Sequence, residues 1–229
     1  ARIYAATPLN QWNTLKNYIE KNGRGDSLLH WGMLKGFMDG SLGSHTAAMF
    51  DDFTDKPGDK GFSINPLDSM AQWIKDADQA GLHIAVHAIG DKAISDLIDQ
   101  FKSVQMANGQ KDRRWRIEHT QHPLTSDIQR MADLQIIASM QPYHAIDDGC
   151  WAEKVLGSER IKTTYAFASL LKAGVKLAFG SDWFVAPPVP MLGIYAAVTR
   201  QTLDGKNPGG WVPEEKISVD EAMSAYTSG

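Results

Sequence analysis

Short apolar runs alternate with longer amphipathic segments along the whole chain. The apolar runs predict strands at 2–6, 31–38, 82–87, 114–119, 135–141 and 175–181. The segments between them predict helices at 8–23, 65–80, 90–107, 125–133, 158–173 and 191–202, with a last one from Ser218. Strands that alternate with helices are typical of α/β proteins with a parallel sheet. The pattern therefore predicts six consecutive βα units.

Two stretches do not follow this alternation of strands and helices. Residues 39–61 are rich in glycine and aspartate and are too long for an ordinary βα connection, so we predict an active-site loop there. Residues 142–157 predict a second long loop, which carries Asp147, Asp148 and Trp151.

Polar residues stand where several predicted strands end. His87 and His119 each end an apolar run, and Asp182 follows the last one. A parallel barrel builds its active site at the carboxyl ends of its strands. Imidazole and carboxylate groups are natural zinc ligands, and a bound metal activates water for hydrolysis. The pattern therefore predicts a hydrolytic metal centre.

Lys35 stands among apolar neighbours in the second predicted strand. Burial lowers the pKa of a lysine, and a neutral amine can take up carbon dioxide to form a carbamate that bridges metals. The ordinary alternative is a lysine that reaches outward to solvent. For the two histidines the alternative is a hydrogen-bonded core residue, and for Asp182 it is a turn.

Residues two apart on a strand share a face, which predicts how these side chains point. By this rule His119 shares the inward face with Ile117 and Trp115. Arg116 and Glu118 then pair with each other on the opposite face, where the barrel meets its helices.

Three further residues are candidates for substrate contact. His144 lies at the tip of the fifth predicted strand, and Tyr143 and Trp183 lie on the same predicted rim. Aromatic residues on such a rim can line an apolar pocket, although they are often packing residues.

Composition narrows the class of protein. The 229 residues are 43% hydrophobic and 22% charged with a formal net charge of −4, which gives no basic patch for nucleic acid. No window is long and apolar enough for a membrane span. The single cysteine, Cys150, excludes a disulfide within the chain and favours a cytoplasmic location.

Five motifs in order resemble the amidohydrolase superfamily. They are LKGFMDGSLGSHTA (34–47), GLHIAVHAIGDKA (81–93), RWRIEHTQHP (114–123), ASMQPYH (138–144) and GVKLAFGSDW (174–183). The branch they resemble is the third amidohydrolase family, the YtcJ-like and N-substituted formamide deformylase group. The resemblance implies a metal-dependent (β/α)8 TIM barrel with a small flanking β-sandwich, and hydrolysis of non-peptide carbon–nitrogen bonds such as amides or N-substituted formamides.

The resemblance also implies roles for individual residues. Lys35 becomes the carboxylated lysine that bridges one or two divalent ions, zinc being the metal expected. His87 and His119 become metal ligands, and Asp182 becomes a metal ligand and the proton shuttle. His45 stands where many relatives have arginine.

The chain also departs from the family pattern. No two histidines are two residues apart, so the His-x-His motif of the first barrel strand is absent. We therefore expect residues 1–229 to form one partial barrel domain covering strands 3 to 8, without strands 1 and 2 or the sandwich. Such a chain would hold at most one ion tightly and catalyse weakly or not at all, and its unpaired sheet edges would favour a homo-oligomer.

Two other functions stay open at this stage. One is a different metal-dependent barrel hydrolase, such as a deaminase or a phosphoesterase. The other is a catalytically incomplete barrel that serves as a binding or assembly module. In the enzymatic interpretations the partner is a small-molecule substrate, with neither nucleic acid nor membrane involved.

Overall fold

The sheet sets the frame of the molecule. The structure is a computed structural model that describes residues 2–228. Within this range six strands form one sheet in the order β1 to β6, and every neighbouring pair is parallel. The strands are β1 (Ile3–Pro8), β2 (Leu29–Phe37), β3 (His83–Ala88), β4 (Arg116–His119), β5 (Ile137–Met140) and β6 (Leu177–Phe179). The predicted parallel α/β architecture is confirmed.

Helices connect the strands and continue beyond β6. The described residues form α1 (Trp12–Asn22), α2 (Leu67–Gln79), α3 (Asp91–Asn108), α4 (Thr125–Asp133), α5 (Pro142–Asp148), α6 (Ala152–Arg160), α7 (Phe167–Lys172), α8 (Pro190–Thr199) and α9 (Val219–Thr227). Short 3-10 turns stand at Leu9–Gln11, Ile161–Thr163 and Pro213–Glu215. Among these residues, no helix combines the length and apolar character needed to cross a membrane.

The apolar core lies between the sheet and the helices. Leu34, Ile84 and Ile117 are almost completely buried on the strand faces that meet the helices. Gly36 allows close packing there, since a Cβ at this position would lie 2.9 Å from Leu9 and 3.2 Å from Met70. Successive side chains along each strand thus point alternately toward the helices and toward the inside of the sheet.

The inward face of β4 is polar. Arg116 donates to Ser139 Oγ at 2.9 Å and forms an ion pair with Glu118 at 3.0 Å. Trp115 instead stacks on Phe101 of α3, with 4.5 Å between ring centroids. The prediction that Arg116 and Glu118 lie at the barrel–helix seam is therefore wrong, although the pair itself exists.

Two predicted elements need correction. The expected loop at 142–157 contains α5, which begins with Pro142 in its first turn, and most of α6. The expected helix at 158–173 is instead the end of α6, a 3-10 turn and α7. Gly157 interrupts α6 with φ 79° and ψ 162°, which breaks the helical path. In contrast, residues 39–61 form the predicted long loop, without a helix or a named strand.

Candidate metal centre

A cavity of about 480 Å³ opens at the carboxyl ends of the strands. Five residues singled out from the sequence line it, each from a different strand or the segment after it: Lys35, His87, His119, His144 and Asp182. Tyr143 and Trp183 are not among the lining residues, and Trp183 is 70% exposed. The sheet thus brings together residues spread over almost 150 positions of sequence.

His119 reaches this cavity through an unusual backbone conformation. Its φ of 76° lies in the left-handed region, which non-glycine residues rarely adopt. The turn swings the ring away from the face of Trp115 and toward the cavity, against the alternation that the sequence suggests. Simple two-residue periodicity therefore gives the wrong neighbours for His119.

The hydrogen bond and the burial of His119 leave one of its ring nitrogens with a free lone pair. Its Nδ1 lies 2.8 Å from Gln141 Oε1, which can only accept, so Nδ1 carries the proton and Nε2 keeps its lone pair. Burial, followed by the charges of His87 and Lys35, lowers the pKa of His119 to about 2. The ring therefore stays neutral at physiological pH, as metal binding requires.

Three potential ligand atoms converge beside it. Within residues 2–228, ligand atoms of His119, His144 and Asp182 all lie within 4.8 Å of one another. His144 Nε2 is buried without a hydrogen-bond partner in the structure. An unpaired buried polar atom is costly, and coordination of a cation would remove that cost. Two imidazoles and a carboxylate are also a donor set that zinc accepts with a position left open.

The ring of His87 also lies against that of His119. Their ring centroids are 4.5 Å apart, close enough for both rings to serve one centre. His87 Nε2 lies 2.8 Å from the carbonyl oxygen of Gly40, so Nε2 donates there and Nδ1 keeps the lone pair. The loop after β2 thereby sets the tautomer and orientation of the His87 ring.

Asp39 holds the loop after β2 in place through hydrogen bonds. It is fully buried and accepts backbone N–H bonds from Ala48, Ile89 and Gly90 at 2.8 to 3.0 Å. One of its oxygens also lies 3.4 Å from His87 Nε2. Asp39 therefore fixes the segments after β2 and β3 relative to each other, beside the His87 ring.

Lys35 projects from β2 toward the same cavity. Burial lowers the pKa of Lys35, while the charges of Glu118 and Asp182 oppose that shift. Its ammonium nitrogen lies 5.2 Å from the centroid of the Phe37 ring. A lowered pKa increases the fraction of neutral amine, which is the form that reacts with carbon dioxide.

Sequence reasoning missed some residues of this site. Gln141 follows the fifth strand directly, so the strand-end signal that pointed to His87 could have found it. Asp39 directly follows the predicted strand 31–38, so the same signal could have found it. Tyr165 gave no such signal, because its partner Asp148 lies in another helix. His45 lies outside the cavity lining and pairs with Asp55 at 2.9 Å.

Two known proteins are similar to this chain in sequence. The chain is 41% identical over 222 residues to Protein LONG AFTER FAR-RED 3 of Arabidopsis thaliana. The aligned region covers 96% of this chain and 38% of that protein. It is 32% identical to the putative amidohydrolase YtcJ of Bacillus subtilis over 201 residues, 88% of this chain and 37% of that one. The chain thus spans under two fifths of the length of these relatives.

Two solved structures share the fold of this chain. A metal-dependent hydrolase from Pyrococcus horikoshii superposes with a TM-score of 0.87 at 28% identity, over 99% of this chain and 45% of that one. A second, from Pyrococcus furiosus, has a TM-score of 0.83 at 30% identity, over the same shares. The six-stranded sheet is thus part of a TIM barrel of the metal-dependent hydrolase type. The amidohydrolase family model matches residues 5–229, and the chain belongs to the amidohydrolase family.

Proposed function

We propose that this chain carries the metal-binding part of a hydrolase that cleaves non-peptide carbon–nitrogen bonds, such as those of amides or N-substituted formamides. The observation that carries the proposal is the convergence of His119, His144 and Asp182 at the carboxyl ends of parallel strands. Family membership supports it, as does the similarity to structures described as metal-dependent hydrolases. One of the curated relatives is an N-substituted formamide deformylase of Arthrobacter pascens.

The proposed metal is zinc, held around His119. Asp182 and His144 converge on His119, and His87, whose Nδ1 keeps its lone pair, lies beside it. Lys35 contributes as a carbamate in this proposal. A bound divalent ion supplies Lewis-acid polarisation of a carbonyl and acidifies water.

The residues of the chain supply the proton transfers and the orientation. Asp182, at the exposed end of the cavity, accepts the proton of the attacking water and donates it to the departing amine. Gln141 holds His119 in one tautomer, and the Gly40 carbonyl does the same for His87.

Metal analysis tests the proposal directly. The purified chain is incubated with zinc in bicarbonate buffer, freed of loose ions, and analysed for metal content. We expect about one ion per chain, in line with the four-coordinate sites that zinc forms, and loss of that ion in His119→Asn, which keeps a residue that tolerates the left-handed backbone. His30→Asn is the matched control, because His30 is exposed on β2 and does not line the cavity. A chain without metal, or full retention in His119→Asn, would contradict the proposal.

Two further variants separate the ligand sets. Loss of the ion in His144→Ala with retention in His87→Ala would place it among the three converging residues. The reverse result would place it between Lys35, His87 and His119. A panel of N-substituted formamides, amides, cyclic amidines and phosphoesters then distinguishes amide hydrolysis from deamination and phosphoesterase activity.

Two wider properties belong to the same proposal. The single free cysteine supports a cytoplasmic location. The outer edges of β1 and β6 have no partner strand among the described residues, which supports self-association. A concentration-independent monomer in analytical ultracentrifugation would argue against self-association.

A further inference from the structure

The wall of the cavity formed by α5 carries more than a candidate metal ligand. His144, Asp147 and Asp148 all line the cavity and are spaced at i, i+3 and i+4 along this helix. Residues with that spacing lie on one helix face, about one turn or ~5.4 Å apart along the axis. The two carboxyl groups therefore border the region one helical turn away from the converging ligand atoms.

Asp148 is held in a defined position by one of its two oxygens. The hydroxyl of Tyr165 donates to Oδ2 at 2.6 Å. Tyr165 itself is fully buried and fixed by its backbone, whose N–H donates to Gln121 and whose carbonyl accepts from Arg200. Oδ1 of Asp148 has no hydrogen-bond partner among residues 2–228, so it remains available to a molecule in the cavity.

No basic side chain balances this wall. Neither Asp147 nor Asp148 forms a salt bridge within the described part of the chain. Burial, together with the neighbouring charge of Asp147, raises the pKa of Asp148 to about 7, while the Tyr165 hydrogen bond opposes the shift. This is the behaviour of a carboxyl group that lacks a cation beside it.

The rest of the lining is equally unsuited to an anionic group. Lys35 is the one lysine among the described residues that line the cavity, and none of these is an arginine. The nearby Arg160 and Arg200 are engaged with backbone carbonyls instead. Trp151 adds an aromatic surface beside the two aspartates, packed close to Gly43. An aromatic face next to carboxylates is a setting that attracts organic cations.

We propose that Asp148 is a substrate-binding residue that recognises a protonated amine on the substrate, about one helical turn from the reacting carbonyl. This inference rests on the proposed function and gives it a substrate class, the amides and formamides of diamines. Tyr165 is the positioning residue that holds Asp148 so that its second oxygen faces the cavity.

Binding of three matched ligands tests the inference. They share a formamidomethyl-benzene frame and carry in the para position an aminomethyl group, a methyl group or a carboxylate. Affinities are measured by isothermal titration calorimetry on the chain with zinc and after chelation. We expect the cationic ligand to bind about tenfold or more tightly than the neutral one, as a charge-assisted hydrogen bond allows, and the anionic ligand to bind most weakly.

Variants assign the preference to Asp148. Asp148→Asn should abolish the advantage of the cationic ligand over the neutral one. Asp220→Asn, at an exposed position on α9, is the matched control and should change neither. Tyr165→Phe keeps the carboxyl group of Asp148 but removes the hydrogen bond that positions it. We therefore expect a reduced cationic preference in this variant, which provides a second test if Asp148→Asn folds poorly.

The outcomes distinguish this inference from the proposed function. Equal affinities for the three ligands, no binding of any of them, or a cationic preference that survives in Asp148→Asn would each overturn it. Because Asp148 is not a candidate ligand, the cationic preference should persist in the chelated chain. A chain that shows the preference but never binds zinc would support this inference and contradict the metal centre.

Discussion

Replacement of Asp39 by asparagine tests how the loops around the proposed metal centre are held in place. An asparagine can place its oxygen at the Oδ2 position and keep the bonds from Ala48 and Gly90. Its NH₂ group then faces the N–H of Ile89, which loses its acceptor. The variant thus keeps the shape of the side chain and removes one acceptor and the charge.

The cost follows from these contacts. One buried backbone donor left without a partner costs about 1–3 kcal/mol. The two retained bonds change from charge-assisted to neutral, which adds about 1 kcal/mol or more. A total of roughly 2–4 kcal/mol corresponds to a fall in Tm of roughly 5–15 °C for a chain of this size.

The variant should also weaken metal binding, since Asp39 lies beside His87 Nε2 and braces the loop that orients this ring. Loss of such an outer contact typically lowers metal affinity about 10–100-fold. Thermal denaturation followed by circular dichroism gives the first quantity, and competition with a zinc chelator gives the second.

Asp91→Asn is the matched control. Asp91 is also buried and accepts backbone N–H bonds, from Phe50 at 2.9 Å and Lys92 at 2.7 Å. Unlike Asp39, it forms no ion pair with a histidine of residues 2–228. We expect its zinc affinity to stay at the wild-type value. If Asp39→Asn lost stability but kept the wild-type affinity for zinc, Asp39 would be a structural residue and our assignment of a positioning role would be refuted.

Two shorter predictions concern titratable groups. Burial lowers the pKa of His122 to about 3, so between pH 6.5 and 3 the unfolded chain binds a proton that the folded chain does not. Stability should therefore fall with falling pH in this window, by up to about 1.4 kcal/mol per pH unit from this residue. His122→Gln should make the slope shallower by that amount in urea titrations between pH 7 and 5; an unchanged slope would show that another group is responsible. Carboxylation of Lys35 should give a carbamate signal in ¹³C NMR of the zinc-loaded chain in labelled bicarbonate. The signal should be absent in Lys35→Met and present in Lys92→Met; its persistence in Lys35→Met would assign the carbamate elsewhere.

Local periodicity was enough to predict the sheet and the strand ends that form the site. Lys35 and His87 lie on the inward face because alternation along β2 and β3 is regular up to the strand tips. The same rule failed for His119, because a left-handed residue at the end of β4 reverses the direction of its side chain. Nothing in the hydrophobic pattern signals such a conformation.

The parts of the site that the sequence did not predict depend on contacts between residues far apart in the chain. Residues 142–148 were predicted as loop because their apolar positions are too few to show a helical repeat, and Pro142 stands at their start. Only the folded chain brings Tyr165 to Asp148, and Ile89 and Gly90 to Asp39. A pairing between residues tens of positions apart leaves no periodic trace in one sequence.

The left-handed backbone at His119 and Asp182, with φ of 76° and 54°, has a consequence for how this family can be studied and can diverge. Histidine, aspartate and asparagine tolerate this region better than other side chains that carry a Cβ. At these two positions the amino acids that suit the chemistry are therefore also among those that suit the backbone. An alanine there removes a ligand and strains the chain at once, whereas asparagine removes most of the chemistry and keeps the turn. Asparagine variants are accordingly the cleaner inactive forms, and chains that lose activity over evolution are expected to carry asparagine or glycine here before other residues.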